Sequence, residues 1–219
     1  MPLRHEWKHP LCPADLPPLR ANLRAVASPD PHGERYRVRS LYFDTPSDHA
    51  LREKLDGVDR REKFRLRYYD GQPSFIRLEK KSKRGGLCGK QTAPLTPEET
   101  SALLEGDLAW MASDSRELVR ELYRRTACQL LTPKTIVDYT REAFVFAPGN
   151  VRVTLDTGIR IGLGNFLEPE GVTIPAGDAP PLLEVKWDAF LSDIIRDAVQ
   201  LRGRRTASFS KYAACRIYG

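Results

Sequence analysis

Between Lys63 and Lys90 the chain places basic residues at every second position over two short segments, KFRLRYY and IRLEKKSKR. Side chains along a strand alternate faces, so Lys63, Arg65, Arg67 and Tyr69 share one surface while Phe64, Leu66 and Tyr68 share the other. The second segment repeats the pattern, with Arg77, Glu79 and Lys81 alternating with Ile76, Leu78 and Lys80. The connecting Asp70-Gly71-Gln72-Pro73 has the residues of a hairpin turn. Cations packed side by side on one sheet face repel one another unless an anion lies against them. A polyanion is the natural candidate.

The bulk numbers are compatible with this. At 219 residues and 41% hydrophobic content the chain can build one domain, residues 1–219, with a real core. A net charge of +6 favours an anionic partner, whether nucleotide, nucleic acid, polyphosphate or lipid surface, and composition does not choose among these. Cys12, Cys88, Cys128 and Cys215 are scattered without a CxxC, and no apolar stretch precedes Arg4 and Glu6, so a reducing, cytoplasmic setting is expected. No window approaches the roughly 20 apolar residues of a membrane span, although a membrane-bound partner stays compatible.

Strand patterns are expected at Arg4 to Lys8, Arg35 to Asp44, the two basic segments, Lys134 to Ala147, Val151 to Ile161 and Leu182 to Trp187. Helices are expected up to about Ala27 with Asp15 as cap, from Thr45-Pro46 to Gly57, over 97–111 and 114–130, and from Ala189 to Arg202. The last of these should bury Phe190, Ile194, Ile195, Ala198 and Leu201 and stop at Gly203. Strands outnumber helices, short turns join neighbours, and the polar faces are strongly charged. The fold class is therefore α+β, an antiparallel β-barrel or deeply curved sheet with a polar, basic lumen and helices packed outside.

Strand parity puts further charges on the basic face: Glu6 with Arg4 and Lys8, Tyr139 with Arg141, Arg152 with Thr154 and Asp156, and Glu184 with Lys186. On any one strand this reads as a solvated face. Repetition over five or six strands argues for a shared interior. There, unpaired charges would be costly and a bound phosphate chain would offset them. Arg grips phosphate oxygens bidentately, and isolated carboxylates suit a hard divalent metal bridging phosphates. Phosphoryl transfer needs positioning and charge neutralisation more than a protein nucleophile.

The segments RVRSLYFDT at 37–45, REKLDG at 52–57, KFRLRYY at 63–69, IRLEKKSKRGGLCGKQ at 76–91, VRVTLDTGIR at 151–160, LLEVKW at 182–187 and FSKY at 209–212 together resemble, in order, the polyphosphate polymerase (VTC) domain of the triphosphate tunnel metalloenzymes, the CYTH-like superfamily. The resemblance implies an antiparallel β tunnel open at its ends, in which ATP binds and its terminal phosphate passes to a growing polyphosphate chain. It implies phosphate-binding and catalytic roles for Lys8, Arg65, Arg67, Lys81, Arg141, Arg152 and Lys211. Lys90, Tyr139 and Ser210 would join them in holding nucleotide or polyphosphate, and Glu184 would hold a divalent metal, Mn2+ or Mg2+. Ser210 and Lys211 are adjacent, and on a strand only one of them could face inward.

Hydrolytic members of that superfamily typically open with ExExK, whereas this chain has Arg4, Glu6 and Lys8 in those places. Losing the first carboxylate argues for one metal rather than two. Whether Glu6 is a second metal ligand or pairs with Lys8 or Arg65 is left open by the sequence. Glu79, surrounded by cations, reads as a partner of neighbouring Arg.

Several signals are set aside. Gly85-Gly86-Leu87-Cys88-Gly89-Lys90-Gln91 fails as a Walker loop at both ends and reads as a hairpin presenting Lys90. His5, His9 and Cys12 lack a fourth zinc ligand. Asp44 is expected to cap the turn after LYFDT, on a face shared with Ser40 and Tyr42. Two further functions stand beside polymerisation: hydrolysis of triphosphate or nucleoside triphosphate in the same tunnel, and polyanion binding without turnover. Aromatic residues are not regularly interleaved with the cations, so nucleic acid is not expected as the partner.

Overall fold

The computed structural model describes residues 3–201, 203 and 205–216. These form strands β1 (His5–Pro10), β2 (Ser28–Pro29), β3 (Arg35–Asp44), β4 (Arg61–Tyr69), β5 (Ile76–Arg84), β6 (Leu87–Leu95), β7 (Thr132–Phe146), β8 (Val151–Gly162), β9 (Thr173–Pro175) and β10 (Leu182–Trp187). The helices are α1 (Leu16–Val26), α2 (His49–Leu55), α3 (Pro97–Glu105), α4 (Glu117–Gln129), α5 (Asp193–Ala198) and α6 (Lys211–Arg216).

One antiparallel sheet runs β1-β10-β8-β7-β3-β4-β5-β6, with β2 added to β7 and β9 to β8. Its ends meet. Arg4, just before β1, exchanges two 3.0 Å backbone hydrogen bonds with Cys88 of β6, so the sheet curls round onto itself. The alternation read from sequence is what this geometry uses. Phe64 and Leu66 of β4 and Leu78 of β5 face outward onto Leu103 of α3, Met111 and Leu122 of α4. A second outer core sets Leu19 and Leu23 of α1 and Ile195 of α5 on Phe144, Val153 and Val185. Burying each such side chain contributes about 1.5–3 kcal/mol.

Turns and caps fix these elements. Gly85 and Gly86, with φ of 58° and 76°, join β5 to β6 as a two-residue hairpin, a conformation that glycine adopts without steric cost. Lys90 therefore sits on a regular strand and not in a loop. Thr96 and Glu99 form a reciprocal capping box at α3, with bonds of 3.1 and 3.0 Å. As expected, Asp44 caps the turn after β3: its carboxylate accepts from the backbone N–H of Thr45, Ala50 and Leu51.

Several sequence expectations are corrected. The helix expected over 97–111 ends at Glu105, because Gly106 turns left-handed, and a 3-10 turn leads on towards α4. Helix α2 begins only at His49, and Asp15 stands at the N-cap of α1 as expected, although its carboxylate accepts from the Cys12 N–H and not from the helix. The helix expected over 189–202 is limited to Asp193–Ala198, leaving Phe190 and Ile194 at 55% and 53% exposure. Ile195 and Ala198 are buried as expected and Leu201 packs against the same core, while Leu191 and Val199 take the places expected for Phe190 and Ile194. Its end at Arg202 lies outside the described residues.

The FSKY segment, given no element from the sequence, leads into α6, and this helix packs against the inner face of the curled sheet. Tyr212 and Cys215 join Tyr36, Val38, Val137, Ile159 and Ile161 there in an apolar cluster. The interior is thus basic along part of its length and apolar where α6 fills it.

Candidate functional site

Inward-facing residues of six strands and the start of α6 converge on a cavity of about 60 Å3. Its walls include Lys8 of β1, Lys63, Arg65 and Arg67 of β4, Lys81 of β5, Arg141 of β7, Lys186 of β10 and Lys211 of α6, together with Tyr42, Tyr139, Glu184 and Ser210. That volume holds about two waters, the space of a single phosphoryl group. It opens into a wider mouth of about 330 Å3, which shares Lys8, Lys63 and Lys81 with it and adds Glu6 and Cys88. The extended segment before α6 borders this mouth, where the Ala207 N–H donates to the Lys8 carbonyl at 2.8 Å.

Four carboxylates stand among these cations, in two kinds of surroundings. Glu79 and Asp156 are buttresses. Glu79 accepts from Arg65 Nε at 2.7 Å and from Lys90 Nζ at 3.2 Å, and the clustered cations hold its carboxyl well below the usual range against the opposing effect of burial. Asp156 accepts from Arg141 at 2.7 and 2.8 Å and lies 2.6 Å from Lys211 Nζ, joining β7 to α6. Burial raises its pKa, but Arg141 and Lys211 outweigh that and bring it down to about 2.

Glu6 and Glu184 instead share a cage of lysines. Lys8 Nζ lies 2.6 Å from Glu6 and 3.6 Å from Glu184. Lys186 Nζ lies 2.7 Å from Glu184 and 3.4 Å from Glu6. Burial and Glu184 push the Glu6 carboxyl up, yet Lys81, Lys8 and Lys186 pull it down to about 2. Glu184 is likewise held far below its ordinary value, with burial outweighed by Lys186, Lys8, Lys81 and Lys211. Glu6 Oε2 is buried and has no hydrogen-bond donor.

Eight cations against four carboxylates leave a surplus, and the neighbouring groups register it. Lys186 and burial together bring Lys81 down to about 7. Burial, with Lys8 and Arg65, brings Lys63 down to about 8. The Tyr42 hydroxyl, raised by burial but lowered further by Arg65, Lys63, Arg67 and Lys81, comes down to about 7. Arg65 donates to that hydroxyl at 2.9 Å, and Arg67 donates to Ser40 and Tyr139 at 2.9 and 3.0 Å. Each guanidinium is aimed inward by these contacts.

Of the residues singled out in the sequence, Lys8, Arg65, Arg67, Lys81, Tyr139, Arg141, Glu184, Ser210 and Lys211 line the central cavity, while Glu6 lines the mouth. Ser210 and Lys211 both reach the cavity because they begin a helix: Ser210 Oγ accepts from the Ala213 N–H at 3.3 Å, and Lys211 follows on the first turn. Lys90 and Arg152 do not line it. Lys90 is bound to Glu79 with its side chain 46% exposed, and Arg152 is turned to Asp30 and the Tyr36 hydroxyl at 2.9 and 2.8 Å. Lys63, Lys186 and Tyr42 line the cavity without having been singled out as site residues. Strand alternation, which set Lys63 beside Arg65 and Lys186 beside Glu184, was their signal.

Three known structures resemble this fold. A Hippeastrum protein assigned as an adenylyl cyclase, with a dominant triphosphatase activity, aligns over 100% of this chain and 96% of its own at 13% identity and a TM-score of 0.58. A protein from Pyrococcus horikoshii OT3 aligns over 99% of both chains at 11% identity and a TM-score of 0.53. A Bacillus halodurans protein assigned as an adenylate cyclase aligns over 84% of this chain and 80% of its own at 15% identity and a TM-score of 0.51. At such identities the likeness is one of fold. No curated protein sequence matches the chain. The sequence profile of the VTC domain does match, over residues 3–217 and so across both the curled sheet and α6, and the chain belongs to the VTC domain family.

Proposed function

We propose that this domain is a polyphosphate polymerase-like phosphotransferase, binding ATP and inorganic polyphosphate in its basic interior and passing the terminal phosphoryl group of ATP to a growing polyphosphate chain. The observation that carries the reading is the cation surplus around the central cavity. Lys63 and Lys81 are brought down to about 8 and 7 in a cage that contains too few carboxylates, and a phosphate chain supplies the missing negative charge.

The residues present also fit a divalent cation, Mn2+ or Mg2+. Glu184 and Glu6 converge on the same two lysines, and Glu6 Oε2 is a buried acceptor without a donor. No group of three His, Cys, Asp or Glu side chains placed to hold a metal occurs among the described residues, so substrate oxygens and water would complete the coordination. When bound, such an ion neutralises charge developing on the transferred phosphoryl group.

The chain's own residues perform the rest of the work. Arg65, Arg67 and Arg141 are preset by Glu79, Tyr42, Tyr139 and Asp156, so gripping phosphate oxygens costs little reorganisation. Lys8, Lys81, Lys186 and Lys211 neutralise the chain between them. The apolar cluster under Tyr212 and Cys215 keeps water from the adjoining part of the interior.

A second reading, hydrolysis of triphosphate, is favoured by the Hippeastrum protein's dominant triphosphatase activity on the same fold. Incubating purified protein with ATP and Mn2+ or Mg2+ and resolving the products on a gel separates the readings. Long polyphosphate is expected. Free phosphate alone would establish the hydrolase, and no turnover with intact tripolyphosphate binding would establish a polyanion-binding module.

A further inference from the structure

The mouth of the interior continues into a groove of about 390 Å3, between α2 on one side and α4 on the other, with the ends of β4 and β5 between them. The groove and the mouth share Arg61, Lys63 and Lys83, just as the mouth and the central cavity share Lys8, Lys63 and Lys81. One path therefore leads from the innermost phosphate-sized space to the protein surface. We propose that this groove is a binding track for the extended part of an inorganic polyphosphate chain, with Arg60 and Arg84 as its contacts beyond the mouth. The inference rests on the phosphate-binding reading of the interior.

The state of the groove's charges supports it. Arg60, Lys83 and Arg84 have no carboxylate of a described residue within ion-pair distance. The groove's own carboxylates are engaged elsewhere. Asp44 accepts from α2 and from the Tyr212 hydroxyl, Glu53 lies 3.3 Å from His49, and Glu62 accepts from Arg125 at 2.8 Å. Nearby Asp59 accepts from the N–H groups of Gly85 and Gly86, which holds the β5–β6 hairpin against the loop bearing Arg60, and these bonds, with a smaller pull from Lys83 and Arg60 beyond ion-pair distance, keep its carboxyl below the usual range. At the mouth, burial and then Arg61, Lys8 and Lys83 lower the Lys54 pKa, so these cations lie close enough to repel one another.

The same surface disfavours nucleic acid as the occupant. Single strands are held by bases stacking on exposed aromatic faces. The groove's two phenylalanines, Phe43 and Phe64, are 1% and 3% exposed and belong to the outer core, and its one exposed ring, His49, lies 3.3 Å from Glu53. Cations without a stacking platform suit a polyanion without bases. A triphosphate is accommodated by the cavity and mouth, so only a longer chain reaches Arg60 and Arg84.

The test compares tripolyphosphate, long-chain polyphosphate and a single-stranded RNA of mixed sequence as ligands of the wild-type domain and of the double variant Arg60→Gln, Arg84→Gln. Long-chain affinity is expected to fall about fivefold in the variant, with the slope of log Kd against log salt shallower by about 1.4, as for two lost phosphate contacts. Tripolyphosphate affinity is expected to stay within about twofold, which also reports an intact fold. Unchanged long-chain affinity overturns the track, as does an equal loss for both phosphates. RNA binding that matches long-chain polyphosphate and falls with it overturns the choice of occupant. If the wild-type domain binds no tripolyphosphate at all, the reading of the interior fails instead.

Discussion

The two faces of the curled sheet bury charge in opposite ways. Outward-facing charges are matched: Arg39 lies 3.0 Å from Asp138, Lys80 bonds to Glu121 at 2.8 Å, and Arg20 grips Glu142 at 2.8 and 2.6 Å. Inward-facing charges are not matched, since eight cations surround one cavity with four carboxylates. Arg39 and Arg67 show the contrast within adjoining strands. Both are almost fully buried, but Arg39 is closed off by Asp138, the Asn165 carbonyl and the close approach of Gly171, while Arg67 is held by a serine and a tyrosine hydroxyl, reaches Glu79 only at 4.0 Å and faces open space. A matched buried charge is part of the fold. A surplus needs a ligand.

The comparison can be broken from either side. Arg39→Ala leaves Asp138 buried without its ion-pair partner, and breaking a buried pair in this way costs about 3–5 kcal/mol, a loss of roughly 10 °C in Tm for a chain of this size. Tripolyphosphate affinity should stay unchanged, and calorimetry showing it weakened together with stability would erase the distinction between the faces. On the inner side, Glu184→Ala should lower turnover by about a hundredfold or more while tripolyphosphate still binds. Turnover equal to wild type would remove Glu184 from the metal site. Lys211→Ala deletes one cation but leaves Asp156 with its two bonds from Arg141. Affinity should drop by about tenfold, the scale of one charge-assisted hydrogen bond, with little change in Tm.

Much of this was legible in the sequence because a period of two is an unambiguous signal. The alternation in KFRLRYY assigned Arg65 and Arg67 to one face and Phe64 and Leu66 to the other, and the sheet keeps that division. Parity fixes a face but not a height along the axis. Strands of a closed sheet are tilted, so residues of equal parity reach the interior at different levels. Arg152 therefore turns to Asp30 and Tyr36, away from the cavity that Arg141 lines. Helix limits were less legible, because the buried stripe of α5 follows from its packing on α1 and the end of α3 from a single left-handed glycine. The helical start at FSKY was not legible for a related reason. Four residues carry too little periodicity to separate a strand from a first helical turn.

The surplus on the inner face also sets a pH dependence that the matched outer face lacks. Lys63 sits over the Tyr42 ring, with Lys8 and Glu6 of β1, Arg65 of its own strand and Lys81 of β5 around it, and it titrates near 8 against an ordinary 10.5. Tyr42 titrates near 7 against an ordinary 10.0. Between about pH 7 and 10 the folded, ligand-free protein therefore holds fewer protons on these two groups than the unfolded chain does. Stability gained from them rises with pH across that window and is lost as pH falls back to about 7. Affinity for tripolyphosphate runs the other way: above about pH 8 Lys63 loses its charge and Tyr42 gains a negative one, so binding must take up protons and weakens by up to about tenfold per proton per pH unit. Tm without ligand and Kd for tripolyphosphate, both measured from pH 7 to 9, should show rising stability and falling affinity. Lys63→Met should flatten both slopes, and an affinity slope as steep in that variant as in wild type would place the titrating group elsewhere in the cage.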